Sequence, residues 1–357
     1  MTGAYINRIG TAVPANEVHA YFLKFATSQL NDDPRRQVVF NRMADRGGID
    51  RRFSYITPAD DPNGDSVDMD GVFARGAFPG TAERMAMYSA NAHLLAIRAI
   101  EQLELGDRKA KITHLIVTTC TGFSAPGVDL EIVAGCGLSP SVERTMIGFM
   151  GCYAAINGLK LARHIVRSEP DAQVLMVSVE LCTLHLRETR DMEKLLSFCL
   201  WGDGSAAALI TAEPSGIRLD SFTSLLAADT RDLMSWSVRN DGFDMVLSGR
   251  VPNAIEDTLR HNVGTVLKNG AIDDIDLWAV HPGGRSVLDA VERALHLQPD
   301  ALATSRAVLR ETGNMSSATV MFVLQKMLAA RSSGQKGCAM AFGPGLTAET
   351  ALFETVQ

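Results

Sequence analysis

"MIGFMGCYAAINGLKLARHIV", Met146–Val166, sets a glycine and a cysteine directly ahead of an apolar run with helical spacing. The same grammar returns in the second half of the chain. "ETGNMSSATVMFVL", Glu311–Leu324, puts Gly313-Asn314 ahead of another apolar helix. Upstream of each lies an apolar strand running into a small polar loop, "HLIVTTCTG" from His114 and "DLWAVHPGG" from Asp276. Cys120 and Cys152 are 32 positions apart, and His281 and Asn314 are 33 apart, so the spacing repeats along with the pattern. Farther on, "VLMVSVE" (Val174–Glu180) matches "GCAMAFG" (Gly337–Gly343), and "GDGSAAALI" loosely matches "PGLTAETALF".

A repeat of this length implies two copies of one α/β unit about a pseudo-two-fold axis. The boundary falls in "TAEPSGIRLD" (Thr211–Asp220), where Pro214, Ser215 and Gly216 interrupt the pattern, giving halves 1–213 and 214–357. Val174–Glu180 and His114–Cys120 read as buried strands. Met87–Leu105, Ser286–Leu297 and Ser317–Ala330 read as helices. In a duplicated fold, helices starting at Cys152 and Asn314 point their N-termini at a common centre, and His281 reaches it from a strand end.

Composition narrows the function. A chain of 357 residues, 46% hydrophobic and 21% charged, has enough apolar material for a well-packed globular protein. The net charge of −7, without a basic block, argues against nucleic acid as a partner. The start lacks a basic and then apolar leader, and no apolar run reaches membrane-spanning length, so membrane insertion is not expected. The six cysteines form no C-x-x-C pair and read as reduced thiols of a cytoplasmic protein. No metal is expected. His281 has no second ligand at ligand spacing, Cys182 and His185 lack a second pair, and the acidic stretch Asp60–Gly71 lacks a calcium-loop pattern.

The chemistry gathers at Cys152. A lone cysteine is ordinarily a buried structural thiol. At a helix N-terminus, the unpaired N–H groups and positive dipole end favour a thiolate, and a nearby imidazolium favours it further. The matched His-Pro-Gly-Gly and Gly-Asn segments supply that company, so Cys152 is expected to be a nucleophile with His281 and Asn314 beside it.

These segments resemble those of the type III polyketide synthases, the chalcone synthase-like enzymes of the thiolase fold. "GCYAAINGLKLA" is similar to the family's nucleophile segment, "WAVHPGGRSVLDAVERAL" to its histidine segment and "ETGNMSSATVMFVL" to its asparagine segment. "LWGDGSAAALI" and "FGPGLTAETALFE" fit as well, and the likeness runs over essentially the whole chain. The resemblance implies a five-layered αβαβα architecture of two duplicated halves. It also implies an acyltransferase that loads an acyl-CoA starter on Cys152 and extends it with malonyl-CoA, with coenzyme A thioesters as substrates and no separate cofactor. His281 and Asn314 would bind the malonyl thioester carbonyl and stabilise the enolate left by decarboxylation. The chain would close to a pyrone or a phenolic or resorcinol ring.

The resemblance further assigns Trp201 and Met245 to a gate between tunnel and cavity, with Trp236 where plant members carry glycine. Thr121, Cys182, His185 and Ser316 match cavity-lining positions. Arg42 and Arg46 fall on two cations that hold coenzyme A phosphates, Val39 departs from a third, and Gly283–Ser286 would run along the pantetheine arm. A homodimer is implied, with Ala125 near the partner's cavity. Three other readings compete: a single-round initiating β-ketoacyl synthase, a Cys-His-Asn hydrolase of the papain type, and an inactive acyl-CoA-binding scaffold. Multiple malonyl additions separate iterative from single-round chemistry.

Overall fold

The computed structural model describes residues 2–330 and 332–357. The first half opens with β1 (Tyr5–Ala12), followed by β2 (Asn16–Glu17), α1 (His19–Ser28), α2 (Pro34–Asp45) and β3 (Phe53–Ser54). It continues through α3 (Thr81–Glu101), β4 (His114–Thr119), α4 (Val128–Cys136) and β5 (Glu143–Gly148). It closes with α5 (Ala154–Ser168), β6 (Val174–Leu181), α6 (Met192–Phe198) and β7 (Asp203–Thr211). The second half holds β8 (Gly216–Leu226), β9 (Met234–Arg239), β10 (Gly242–Leu247), α7 (Val251–Val266) and β11 (Leu277–Val280). It ends with α8 (Arg285–Leu295), α9 (Ala303–Thr312), α10 (Thr319–Ala330), β12 (Lys336–Gly343) and β13 (Thr347–Val356).

One sheet of nine strands runs β11-β12-β13-β8-β1-β7-β6-β4-β5. Its two sides repeat each other. β4 lies parallel to β6, which lies antiparallel to β7, which lies antiparallel to β1. β11, β12, β13 and β8 repeat that sequence of directions. The matched segments therefore occupy equivalent strands, and only β5 has no counterpart. The halves join where β1 pairs with β8 through Tyr5–Arg218 and Ile6–Ile217.

Strands β4, β6 and β7 are buried along their whole length, which is why they read as continuous apolar runs rather than alternating ones. α5 and α10 each touch strands of both halves and form the central layer. α3 covers the outer face of the first half, while α7, α8 and α9 cover the second, giving the five layers. α5 packs closely because its buried face is largely small: Ala154, Ala155, Gly158 and Ala162. Ile156, Leu159 and Val166 add burial worth about 1.5–3 kcal/mol each. The two repeat glycines share one backbone device, since Gly151 has φ 77° and Gly313 has φ 68°, a region open to glycine. A Cβ on Gly151 would also stand 2.2 Å from Cδ of Pro344.

The helix boundaries differ from the sequence expectation at the site itself. Cys152 lies in a single 3-10 turn, Gly151–Tyr153, and the α-helix begins two residues later. Asn314 likewise precedes a 3-10 turn, Ser316–Ala318, before α10. The tight glycine turns hold both side chains outside the regular helix, at the join of the two halves.

Candidate active site

Main-chain bonds hold two of the three candidate residues, His281 and Asn314. His281 follows β11 directly, and its N–H donates to the Met340 carbonyl at 2.8 Å. Asn314 is clamped to the segment before β7: its N–H donates to Leu200 O at 2.8 Å, and its carbonyl accepts from Gly202 N at 3.0 Å. That pairing sets Trp201 alongside Asn314 as an isolated parallel bridge. The Asn314 side chain is oriented at both ends, with Nδ2 donating to Gly283 O at 3.1 Å and Oδ1 accepting from Ser316 N at 2.8 Å. One N–H of the amide is thereby left to face the cavity.

Cys152, His281 and Asn314 line one cavity of about 50 Å3 whose wall is almost entirely apolar. The Cys152 Sγ lies 3.7 Å from Ser316 Oγ. Neither ring nitrogen of His281 has a hydrogen-bond partner among the described residues. The expected thiolate–imidazolium pair is therefore not formed in this state. Burial is the reason: it pushes the Cys152 thiol up to about 12, with the Glu180 carboxylate adding to the effect, and holds the His281 imidazole down to about 3. Neither group carries its charge alone here. A neutral imidazole with both nitrogens unpartnered is ready to donate to one oxygen and to accept a proton at the other nitrogen.

Three further residues shape this centre without standing out in sequence. Glu180, fully buried, accepts from Cys120 N and Thr121 Oγ1, both at 2.9 Å, and from Ser317 Oγ at 2.5 Å, tying β4, β6 and the start of α10 together. Cys120 lines the cavity, and its sulfur accepts from Gly151 N at 3.2 Å. Arg52, with no exposed surface, donates to the carbonyls of Phe198 at 2.7 Å and Trp201 at 2.8 Å and to Nδ1 of His19 at 3.0 Å. The signal for Arg52 was weak, because an arginine in "DRRF" reads as one of several surface cations. Glu180, at the end of an apolar strand, was the more legible of the two.

Most of the remaining sequence candidates converge on the same cavity. Trp201, Met245, Thr121, Cys182 and Ser316 line it, together with Trp236. β9 and β10 pair in the register that sets Met245 directly opposite Trp236, and the Trp236 indole N–H donates to Cys120 O at 2.8 Å. His185 is the exception. It stands behind the wall, with Nε2 at 2.7 Å from Thr121 O and Nδ1 accepting from Phe243 N at 3.1 Å, stacked on Phe243 and edge-on to Trp236. Its place is to brace Trp236, because both of its nitrogens are already used by the backbone.

A second cavity of about 660 Å3 adjoins the first, with Leu247, Gly283 and Val287 lining both. Arg46, Gly283 and Ser286 line it. Arg42 does not; it is exposed on α2 and lies off the lining. Ala125 is exposed, beside exposed Phe123. Among the described residues, no group of three or more His, Cys, Asp or Glu side chains is placed to hold a metal ion. No helix among them is long and apolar enough to cross a membrane.

A duplicated αβαβα fold with cysteine, histidine and asparagine at the join of its halves defines a condensing enzyme of the thiolase type. Residues 2–214 match the family described as chalcone and stilbene synthases, N-terminal domain, and residues 219–357 match the C-terminal domain of the same family. The chain belongs to that family, and it is a type III polyketide synthase, an acyltransferase. It is 34% identical to the alpha-pyrone synthesis polyketide synthase-like Pks18 of Mycobacterium tuberculosis and of Mycobacterium bovis, covering 100% of this chain and 92% of the relative. Its fold superposes on PKS-I from the brown alga Ectocarpus siliculosus with a TM-score of 0.87 at 29% identity, covering 100% of this chain and 99% of that one. The C-terminal type III polyketide synthase domain of Steely1 from Dictyostelium shares the fold with a TM-score of 0.90 at 23% identity, covering 99% of this chain and 100% of that one. The papain-type and inactive-scaffold readings give way to this family.

Proposed function

We propose that the enzyme loads an acyl group from acyl-CoA onto Cys152, extends it with malonyl-CoA in more than one round, and releases the product as an α-pyrone. The observation that carries the reading is the meeting of Cys152, Asn314 and a His281 imidazole without partners in one apolar, enclosed cavity.

In loading, the Cys152 sulfur attacks the thioester carbonyl, His281 takes the thiol proton, and the proton passes to the departing coenzyme A sulfur. In extension, the malonyl thioester oxygen takes donors from the free Asn314 N–H and from the neutral imidazole. The bond to the carboxylate breaks, carbon dioxide leaves, and its electron pair becomes the enolate that those donors hold. The enolate carbon then attacks the Cys152 thioester, forming a carbon–carbon bond as the carbon–sulfur bond breaks. The apolar wall excludes water that would otherwise hydrolyse the thioester or quench the enolate.

Coenzyme A would lie in the second cavity, with Arg46 and the N-terminal turn of α8 at Arg285 and Ser286 supplying positive potential for its phosphates. The small inner cavity and the wall of Trp201, Trp236 and Met245 favour early release, in keeping with the alpha-pyrone activity that the mycobacterial relatives' name carries. A homodimer would cover the edge strand β5 and the exposed Phe123, Met146, Phe149 and Met150. Sedimentation tests this point; a monomer at micromolar concentration would contradict it.

The activity is tested by incubating the protein with malonyl-CoA and a panel of acyl-CoA starters, with mass spectrometry of the products. Products bearing more than one malonyl-derived unit support iteration, and a single addition supports one-round condensation.

A further inference from the structure

α2 carries its hydrophobic pattern turned outward. Its inward face is Gln37, Phe40 and Ala44, with Phe40 fully buried. The opposite face, at spacings of three and four, reads Arg35, Val38, Val39, Arg42, Met43, Arg46. Every member is exposed: Val38 at 61%, Val39 at 51% and Met43 at 46% of their full surface, with Arg35, Arg42 and Arg46 also exposed. A surface helix ordinarily keeps charged and polar side chains outward, so three apolar ones alternating with cations are unusual. The three arginines make no hydrogen bond or ion pair through their side chains among the described residues. Of the acidic groups nearby, Asp33 caps the helix, Asp32 pairs with Arg190, Asp45 lies on the flank, and Glu193 and Asp289 line the second cavity with Arg46.

This stripe runs to the mouth of the second cavity. Met43 and Arg46 line it, whereas Arg35, Val38, Val39 and Arg42 continue away from it along the helix. Under the function proposed above, coenzyme A engages the lining end, and the outer members lie beyond that lining. We propose that the outward face of α2 docks an acidic carrier protein, whose phosphopantetheine arm enters the second cavity and delivers its acyl group to Cys152. Cations interspersed with apolar side chains complement an acidic helix with apolar side chains between its carboxylates. The placement at the mouth suits a partner that must thread a tethered arm inward.

The inference rests on the function proposed above and extends it to a second acyl donor. The transfer balances as loading from coenzyme A does. A carbon–sulfur bond forms at Cys152, the carbon–sulfur bond to the phosphopantetheine breaks, and the Cys152 proton passes through His281 to the departing thiol.

The test presents one acyl group, chosen as the best loader in the coenzyme A panel, in two forms: as its coenzyme A thioester and on the phosphopantetheine of a bacterial fatty-acid acyl carrier protein. Acylation of Cys152 is followed by intact-protein mass spectrometry in the wild type and in the double variant Arg35→Glu, Val38→Ser, both positions being exposed and outside the cavity lining. The expected result is loading from both donors in the wild type. In the variant, the carrier-driven rate falls about tenfold or more while the coenzyme A rate stays within about twofold. Raising salt from about 50 to about 300 mM weakens the carrier reaction selectively. Loading by coenzyme A but not by the carrier overturns the inference and leaves the proposed function standing. So does a carrier rate unmoved by the double variant, an equal loss with both donors, or stripe-dependent binding to phosphatidylglycerol vesicles with the carrier rate unchanged. Failure of both donors on the wild type overturns the proposed function itself.

Discussion

Asn314→Asp separates the two half-reactions. In the wild type, Oδ1 accepts from Ser316 N, while Nδ2 donates to Gly283 O and keeps a second N–H for substrate. The substitution preserves the acceptor, so the turn into α10 keeps its bond. It removes both donors and places a carboxyl where the enolate oxygen gathers charge. Loss of one such donor is worth about 2.7–4 kcal/mol, or roughly a hundred- to a thousandfold in rate. Repulsion between the carboxylate and the enolate acts in the same direction. The Gly283 carbonyl loses its partner, at a cost of about 1–3 kcal/mol in stability. Loading of Cys152 develops no enolate, so it should fall less than about tenfold while malonyl-CoA decarboxylation falls by the larger factor. The assay pairs intact-protein mass spectrometry of the starter adduct with chromatographic measurement of acetyl-CoA from malonyl-CoA. Equal losses in the two half-reactions would refute the reasoning, because they would make Asn314 a general scaffold rather than an enolate donor.

Trp236→Ala removes an indole from the wall of a cavity of about 50 Å3, so products longer than those of the wild type should appear, at a stability cost of about 3 kcal/mol; an unchanged product profile would show that another wall sets the length. Glu180→Gln removes a carboxylate that raises the Cys152 thiol, so iodoacetamide should label Cys152 faster than in the wild type at the same pH; slower labelling would contradict the assigned electrostatics. Acid should destabilise the fold. His281 and His185, both held by burial to about 3 from an ordinary 6.5, stay neutral in the native state while the unfolded chain takes up protons below pH 6.5. Between about pH 7 and pH 5 the two together forfeit about 4 kcal/mol. Asp203, raised by burial to about 6, takes its proton in the native state first and returns about 1 kcal/mol over the same range. Urea midpoints should therefore drop by the equivalent of about 3 kcal/mol, and a flat profile would mean that these histidines are not buried neutral.

The duplication was legible because equivalent strands in the two halves carry equivalent burial, and burial on both faces writes itself as apolar runs. Cys152 and Asn314 were legible because Gly151 and Gly313 take positive φ at the join, leaving Gly-Cys and Gly-Asn at matched positions, and His281 because it directly follows a strand in the matching repeat. Protonation was not legible. A cysteine near a helix start suggests a thiolate, but spacing says nothing of desolvation, and desolvation dominates at Cys152. His185 was misplaced for a related reason, since sequence gives its proximity to the cavity and not the two backbone bonds that turn it outward behind Trp236. Arg42 reads as one of a pair with Arg46, and only the path of α2 past the mouth divides them.

The most direct measurement is intact-protein and peptide mass spectrometry after brief exposure to a starter acyl-CoA. The account predicts a single acyl adduct mapped to Cys152, absent in Cys152→Ala, that discharges on addition of malonyl-CoA into products extended by more than one two-carbon unit. An acyl group found on Cys120 or Cys182 instead, or product formed at the wild-type rate by Cys152→Ala, would contradict it.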